Sequence, residues 1–344
     1  MNAVLWEAGP AHGREQNVRC LACAHSCLLP PGETGLCGVR ANDAGQLRSR
    51  VSGGIVSAHA DPVEKKPLYH YLPGTRTFSF GTEGCNFRCA FCQNADISQH
   101  PRLTGKVRQQ AVTSGQLVRA ARQERCASIA FTYTEPTVFI ELMLETASLA
   151  RASGLGTVMV SNGFQSPATL EALRPHIQAV NIDLKSMRPD FYTGLCNGRL
   201  EPVLDNLKRM RSFGWWLEVT TLIIPGLNDS HEELRRLAGF LANELGADTP
   251  WHVSAFHPAF AMTDRPATPP QTIDAACALG YEAGLRFVYP GNVQPAFLHA
   301  DKDTRCPECG TRCVSRRGAA PAGFSGMCPA CGFTLAGVWS MPSD

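Results

Sequence analysis

From about residue 70 to residue 300 the chain alternates short apolar runs with longer amphipathic stretches. The runs TFSFG, SIAFTY, TVMVSN, AVNIDL, WLEVTTLII, HVSAF and FVYPG are each bounded by turn residues and read as buried strands. Between them SGQLVRAARQE, TVFIELMLETASLARAS and SHEELRRLAGFLANEL read as helices, the last opening with Ser230 as N-cap and Glu233 three positions on. Regular β/α alternation predicts a parallel sheet with helices outside it. Six or seven repeats over roughly 220 residues suit an open or partial (β/α) barrel better than a complete eight-fold one.

Outside this region the texture changes. Residues 1–70 form a Gly- and Pro-punctuated, Cys-rich segment, 71–300 the barrel, and 301–344 a compact Cys- and Gly-rich tail. A hydrophobic content of 44% with 18% charged residues is enough for a folded core, and a formal charge of +2 gives no global electrostatic case for nucleic acid or a membrane surface as partner. The first residues, MNAVLWEAGPAHGREQ, contain no continuous apolar stretch of signal-peptide type, and no run approaches 18 apolar residues, so the expected location is cytoplasmic.

In barrels of this kind the chemistry collects at the C-terminal ends of the strands. Those positions here carry Cys85, Cys89 and Cys92, then Thr134 and Glu135, then Ser161 and Asn162, then Asp183 and Lys185, then Asn228 and Asp229, then His257, and last Gly291 and Asn292. Any one of them has an ordinary explanation as a turn former. Seven polar strand ends in succession argue for a site. Asp183 and Lys185 project to the same face and can engage one ligand. His252 and His257 are five positions apart and point to opposite faces, which favours His257 for function and His252 for a structural hydrogen bond.

Fifteen cysteines are too many for a reduced compartment unless most have chemical work. TEGCNFRCAFCQN sets three of them at Cys-x3-Cys-x2-Cys spacing, which fits a [4Fe–4S] cluster with one iron free for another ligand; zinc with a distant fourth ligand is the alternative. Near the end, Cys306, Cys309, Cys328 and Cys331 form two Cys-x2-Cys pairs 18 residues apart, each followed by Gly. That is ribbon-type zinc spacing, with a rubredoxin-like iron next in order. Arg312, Arg316 and Arg317 give this ribbon a basic, solvated face. Cys20, Cys23, Cys27 and Cys37 have spacing that suits a zinc site or an auxiliary Fe–S centre, with unligated thiols as the remaining reading. Cys126, Cys196 and Cys277 stand alone and read as small buried hydrophobes.

Cys-x3-Cys-x2-Cys with Phe91 before the last cysteine resembles the signature of radical S-adenosylmethionine (radical SAM) enzymes. DPVEKKPLYHYLPG, FSFGTEGCNFRCAFCQNADISQ, FTYTEPT, NIDLKS, TLIIPGLNDS, WHVSAFHP and YPGNV together resemble the radical SAM enzymes of the AmmeMemoRadiSam system, which are related to pyruvate formate-lyase activating enzymes. The resemblance implies an α/β fold, a partial (β/α)6-type radical SAM barrel with small Cys-rich metal-binding segments at both ends. It implies a [4Fe–4S] cluster on Cys85, Cys89 and Cys92 that cleaves S-adenosylmethionine reductively to methionine and a 5′-deoxyadenosyl radical, which abstracts hydrogen from a substrate the sequence does not name. It implies that Glu135, with the backbone around Thr134, receives the methionine ammonium, that Asn162, Asp183 and Lys185 surround the ribose and carboxylate, and that His257 lies near the adenosyl end. Its implied partners are Memo-type and other proteins of that system, with flavodoxin or ferredoxin as electron donor. The chain departs from the activases at Tyr133-Thr134-Glu135-Pro136, where they show Gly-Gly-Glu-Pro, and at Ser161, where they show Asp. Two other readings are an activase of a glycyl-radical enzyme and a metal-stabilised RNA- or protein-binding module without catalysis.

Overall fold

A computed structural model describes residues 3–12, 15–294, 296, 298–316 and 324–341. Its centre is an eight-stranded sheet: β1 (Ser57–Pro62), β2 (Arg76–Gly81), β3 (Ser128–Phe131), β4 (Gly156–Ser161), β5 (Ala179–Asp183), β6 (Trp216–Ile223), β7 (Trp251–Ala255) and β8 (Val288–Gly291). The strands lie in chain order across the sheet, β2 to β8 parallel, and β1 pairs antiparallel to β2 with Ser57 opposite Gly81. β1 and β8 form the two ends, so the barrel stays open. All seven expected strands are the seven parallel ones. They were readable because strands buried on both faces are continuous apolar runs, and all four residues of β3 are buried. β1 was not, because SAHADP is polar and exposed or half-buried throughout.

The main outer helices are α1 (Ser114–Gln123), α2 (Ile140–Ala152), α3 (Pro167–Leu173), α4 (Glu201–Ser212), α5 (His231–Phe240) and α6 (Pro270–Glu282). Ser230 caps α5 as expected, its hydroxyl accepting from Glu233 N at 3.2 Å. The Glu233 carboxylate does not return to the cap. It accepts from Ser186 Oγ at 2.5 Å and Met187 N at 2.6 Å, tying α5 to the chain beyond β5. α2 begins one turn later than its apolar pattern, after a 3-10 turn at Pro136–Phe139.

Both Cys-rich ends are welded to this scaffold. Cys37, Val39, Val51 and Ile55 share one apolar core with the strand residues, and the buried Arg40 pairs with Glu141 of α2 at 2.9 Å. At the other end Cys306, Cys313, Cys328 and Leu335 pack on Tyr69, Phe287 and Tyr289. Val338 runs beside Tyr71, with Val338 N donating to His70 O and Leu72 N to Val338 O, both at 2.7 Å. Beneath this seam lies Glu218 of β6, fully buried. It accepts from Tyr69 N (2.9 Å), His70 N (2.7 Å), Trp216 Nε1 (2.9 Å) and His252 Nε2 (2.6 Å). His252 is thereby the structural histidine expected. Arg316 is not part of a solvated basic face. Its guanidinium is buried, lies 4.2 Å from the centre of the Tyr69 ring, and donates to Tyr69 O and Thr304 Oγ1. The apolar Tyr69 seam recruits it, and that contact is invisible in local sequence. Arg312 is on the surface beside Asp303, and Arg317 lies outside the described residues. Among the described residues no helix is long and apolar enough to cross a membrane.

Candidate active site at the strand ends

The loop after β2 carries the three thiols. Gly84 turns it with φ +96°, where a Cβ would meet Val39 and the Cys37 carbonyl within 3.0 Å, so only glycine fits against the N-terminal segment. Cys85, Cys89 and Cys92 all face a cleft of about 360 Å3 at the C-terminal edge of the sheet. Phe87 N donates to Cys85 Sγ at 3.4 Å, and Ser98 Oγ lies 3.2 Å from Cys92 Sγ. Burial pushes the Cys85 thiol well above its ordinary value, with Glu135 adding to the shift. A thiolate there needs a cationic partner, which metal coordination supplies. Three inward thiols in one cleft wall fit a metal–sulfur cluster.

The same cleft is lined by Thr134, Asn162, Asp183 and Lys185. Lys185 Nζ lies 3.0 Å from Asp183 Oδ2. Burial alone would push this ammonium down, but Asp183 and the neighbouring thiols hold it well above its ordinary value. The cleft therefore offers a fixed cation beside a carboxylate that is 40% exposed and open to a ligand. Asn162 Nδ2 donates to Asn86 Oδ1 at 2.7 Å, linking the end of β4 to the cysteine loop.

Glu135, Asn228 and His257 stand apart from this wall. Glu135 is completely buried, and its carboxylate accepts from Asn162 N (2.9 Å), Ser161 Oγ (2.9 Å), Thr137 N (3.1 Å) and Thr137 Oγ1 (2.6 Å). Burial pushes it above its ordinary value while the Asn162 and Thr137 bonds oppose the rise. It holds the β3 and β4 ends together rather than reaching into the cleft. Ser161, in place of the activases' Asp, supplies the hydroxyl that makes this possible. Asn228 accepts from Ile224 N at 2.7 Å and donates to Lys185 O at 2.7 Å and Leu222 O at 2.9 Å, locking the turn that follows β6. His257 is exposed, 3.2 Å from Asn292 O, and is not among the lining residues.

Other groups entered the cleft unannounced. Tyr133 adopts φ +70°, the region that favours glycine, so the Tyr-Thr-Glu-Pro turn keeps a glycine-like backbone without a glycine. Lys66 lies 4.7 Å from the Tyr133 ring centre and pairs with Asp61 Oδ2 at 3.1 Å. Burial pushes its ammonium down against that ion pair. The only sequence hint was the lysine pair in DPVEKKP. Thr220 and Leu222 of β6 and Ser254 of β7 complete the wall. Cys196, read as a plain buried residue, lies against Cys89, and a hydrogen bond between the two thiols pulls Cys89 below its ordinary value.

Residues 80–238, from the end of β2 into α5, match the family model described as the radical SAM superfamily. An uncharacterized protein of Methanocaldococcus jannaschii is 41% identical over 302 residues, 88% of either chain. Residues 80–238 form a radical SAM superfamily domain. The relatives also include a pyruvate formate-lyase-activating enzyme of Clostridium pasteurianum, 25% identical over 50% of this chain and 71% of that one. A radical SAM methyltransferase from Sphaerobacter thermophilus superposes with a TM-score of 0.52 over 86% of this chain and 79% of its own at 14% identity, a likeness of fold alone.

The four C-terminal cysteines also converge. Their sulfurs all lie within 4.8 Å of one another, with Cys306 and Cys331 at 3.5 Å and Cys309 and Cys328 at 3.6 Å. Gly310 and Gly332 follow each pair with φ +71° and +75°, and their amides donate to Cys306 O and Cys328 O. That is the knuckle expected from the sequence.

Proposed function

We propose that this protein is a radical SAM enzyme whose Cys85, Cys89 and Cys92 hold a [4Fe–4S] cluster, with S-adenosylmethionine in the adjoining cleft. The observation that carries this reading is that the three thiols share one wall with Thr134, Asn162 and the Asp183–Lys185 pair. When bound, the reduced cluster supplies the electron that cleaves S-adenosylmethionine to methionine and a 5′-deoxyadenosyl radical, which takes a hydrogen atom from the substrate. Lys185 is suited to a ligand carboxylate and Asp183 to hydroxyl or ammonium groups, both at charge-assisted strength. Asn162 presents its amide beside Cys85 (Nδ2 to Sγ 3.8 Å). Glu135 acts one step back, fixing the Asn162 backbone. Phe87 and Phe91 line the cleft beside the thiols and give that wall an apolar surface. His257, which the resemblance puts near the adenosyl end, is exposed and does not line the cleft.

The C-terminal cysteines are suited to zinc, since four thiolates at single-ion spacing match a closed structural site. The sequence resemblance supports a place in the AmmeMemoRadiSam system, with Memo-type proteins as partners and a flavodoxin or ferredoxin as donor. The activating-enzyme relatives support a second reading, hydrogen abstraction from a partner protein's backbone. The test is anaerobic reconstitution with iron and sulfide, reduction, and chromatography for 5′-deoxyadenosine. Wild type is expected to form it, and the triple variant Cys85→Ala, Cys89→Ala, Cys92→Ala to form none. Failure of the wild type to assemble any cluster would overturn the proposal.

A further inference from the structure

Four more cysteines lie just behind the cleft. Cys20 ends the strand Glu15–Cys20, Cys23 bridges to Gln165, and Cys27 and Cys37 flank the Pro- and Gly-containing turn between them. With Ala22, Val138 and Arg40 they wall a single small apolar cavity. The triad loop closes that cavity from the other side. Asn86 lines it, while the adjacent Cys85 and Phe87 line the cleft. His25 Nε2 lies 2.9 Å from Asn86 O, and Arg102 donates both to Leu36 O (2.8 Å) and to Cys85 O (2.9 Å), bracing the two cysteine loops together.

The arrangement of these sulfurs differs from that of the C-terminal set. A zinc–sulfur bond of about 2.3 Å places four tetrahedral thiolates about 3.8 Å apart, nearly touching. The C-terminal sulfurs meet that requirement, and among the described residues theirs is the one cysteine group drawn that close. The N-terminal four instead surround a cavity, as the cleft triad does. Thiols set round a space suit a polynuclear group, in which each sulfur binds a different metal atom. A second observation points to an occupant that can accept a hydrogen bond. Arg40 is only 2% exposed and lies in the cavity wall; its charge is met by Glu141 and its Nη2 donates to Val4 O, yet its Nε–H has no hydrogen-bond partner among the described residues. A buried donor left unpaired is costly, and the sulfur of a thiolate-ligated cluster can accept from it.

We propose that Cys20, Cys23, Cys27 and Cys37 bind a [4Fe–4S] cluster of their own, behind the loop that carries Cys85. Its place makes it a route for single electrons from a ferredoxin- or flavodoxin-class donor toward the cleft. That role rests on the function proposed above, whereas the binding does not. The test uses the full chain with Cys85, Cys89 and Cys92 all changed to Ala, reconstituted anaerobically and assayed for iron, sulfide and zinc. The expected content is about four iron and four sulfide per chain with one zinc, against about eight iron and eight sulfide in wild type. After dithionite reduction the variant should give a paramagnetic resonance signal that S-adenosylmethionine does not alter. A Cys37→Ser variant should keep the S-adenosylmethionine-sensitive signal and lose about half the iron; if it does not fold, the triple variant decides alone. No iron or sulfide in the triple variant, with either one or two zinc per chain, overturns the inference. If the triple variant keeps its cluster but wild type shows no S-adenosylmethionine-sensitive component, this site stands and the reading of the cleft falls.

Discussion

Glu218→Gln tests whether the Glu218–His252 pair is architecture or chemistry. Each carboxylate oxygen accepts two hydrogen bonds: Oε1 from His70 N and Trp216 Nε1, Oε2 from Tyr69 N and His252 Nε2. A glutamine amide keeps one oxygen and turns the other into a donor. The less costly orientation puts the amide nitrogen at Oε2, where His252 can switch tautomer and accept, leaving Tyr69 N unsatisfied. One orphaned buried N–H costs about 1–3 kcal/mol, and the remaining bonds fall from charge-assisted to neutral strength, so about 3 kcal/mol is expected after the relief of burying a charge. At about 2.1 cal/mol/K per residue, 344 residues have a transition entropy of about 0.7 kcal/mol/K, which converts this loss to a Tm drop of about 4 °C. The assay is circular-dichroism melting of anaerobically prepared protein, with 5′-deoxyadenosine formation measured below the transition. The pH dependence has a definite sign. Burial alone would raise the Glu218 carboxyl, but the His252 bond and the neighbouring donors hold it below its ordinary value. Its stabilisation is therefore full above the ordinary glutamate range and lost as pH falls through the depressed value, so the gap between variant and wild type should narrow below about pH 4. An unchanged Tm combined with lost product formation would refute the reasoning and move the pair into the chemistry.

Three further outcomes follow from the site and the tail. Lys185→Met should weaken S-adenosylmethionine binding at least about tenfold, roughly one charge-assisted hydrogen bond, with iron content unchanged; equal affinity in titration calorimetry would remove Lys185 from the ligand. At position 133, Tyr133→Gly should be more stable than Tyr133→Ala by about 1 kcal/mol in urea unfolding, because the backbone there is left-handed, and equal midpoints would mean the turn relaxes. Cys306→Ser with Cys328→Ser should abolish the single tightly held zinc and expose the Tyr69–Tyr289 seam to hydrogen exchange. Zinc retained at one per chain, with iron and sulfide unchanged, would assign the metal elsewhere.

What the sequence determined by itself is local and repetitive. The seven parallel strands were legible because each is a continuous apolar run between turn residues, and the Cys85 triad because its three thiols are closely spaced within a single loop. The paired knuckles at Cys306 and Cys328 were legible for the same reason. The tertiary structure decided which strand-end groups face the cleft and which are consumed in holding it. Glu135 and Asn228 looked as available as Asp183, yet their polar atoms are taken by backbone and side chains brought in from neighbouring strands. Only the folded chain could direct Lys66 and Tyr133 inward, bury Arg316 on Tyr69, and set the Cys20 loop against the Cys85 loop. Periodicity records which face of an element is apolar. It does not record which distant residue will satisfy a given donor, because those partners stand far apart in the chain, 149 positions for Tyr69 and Glu218 and 247 for Tyr69 and Arg316, and meet only when the chain folds.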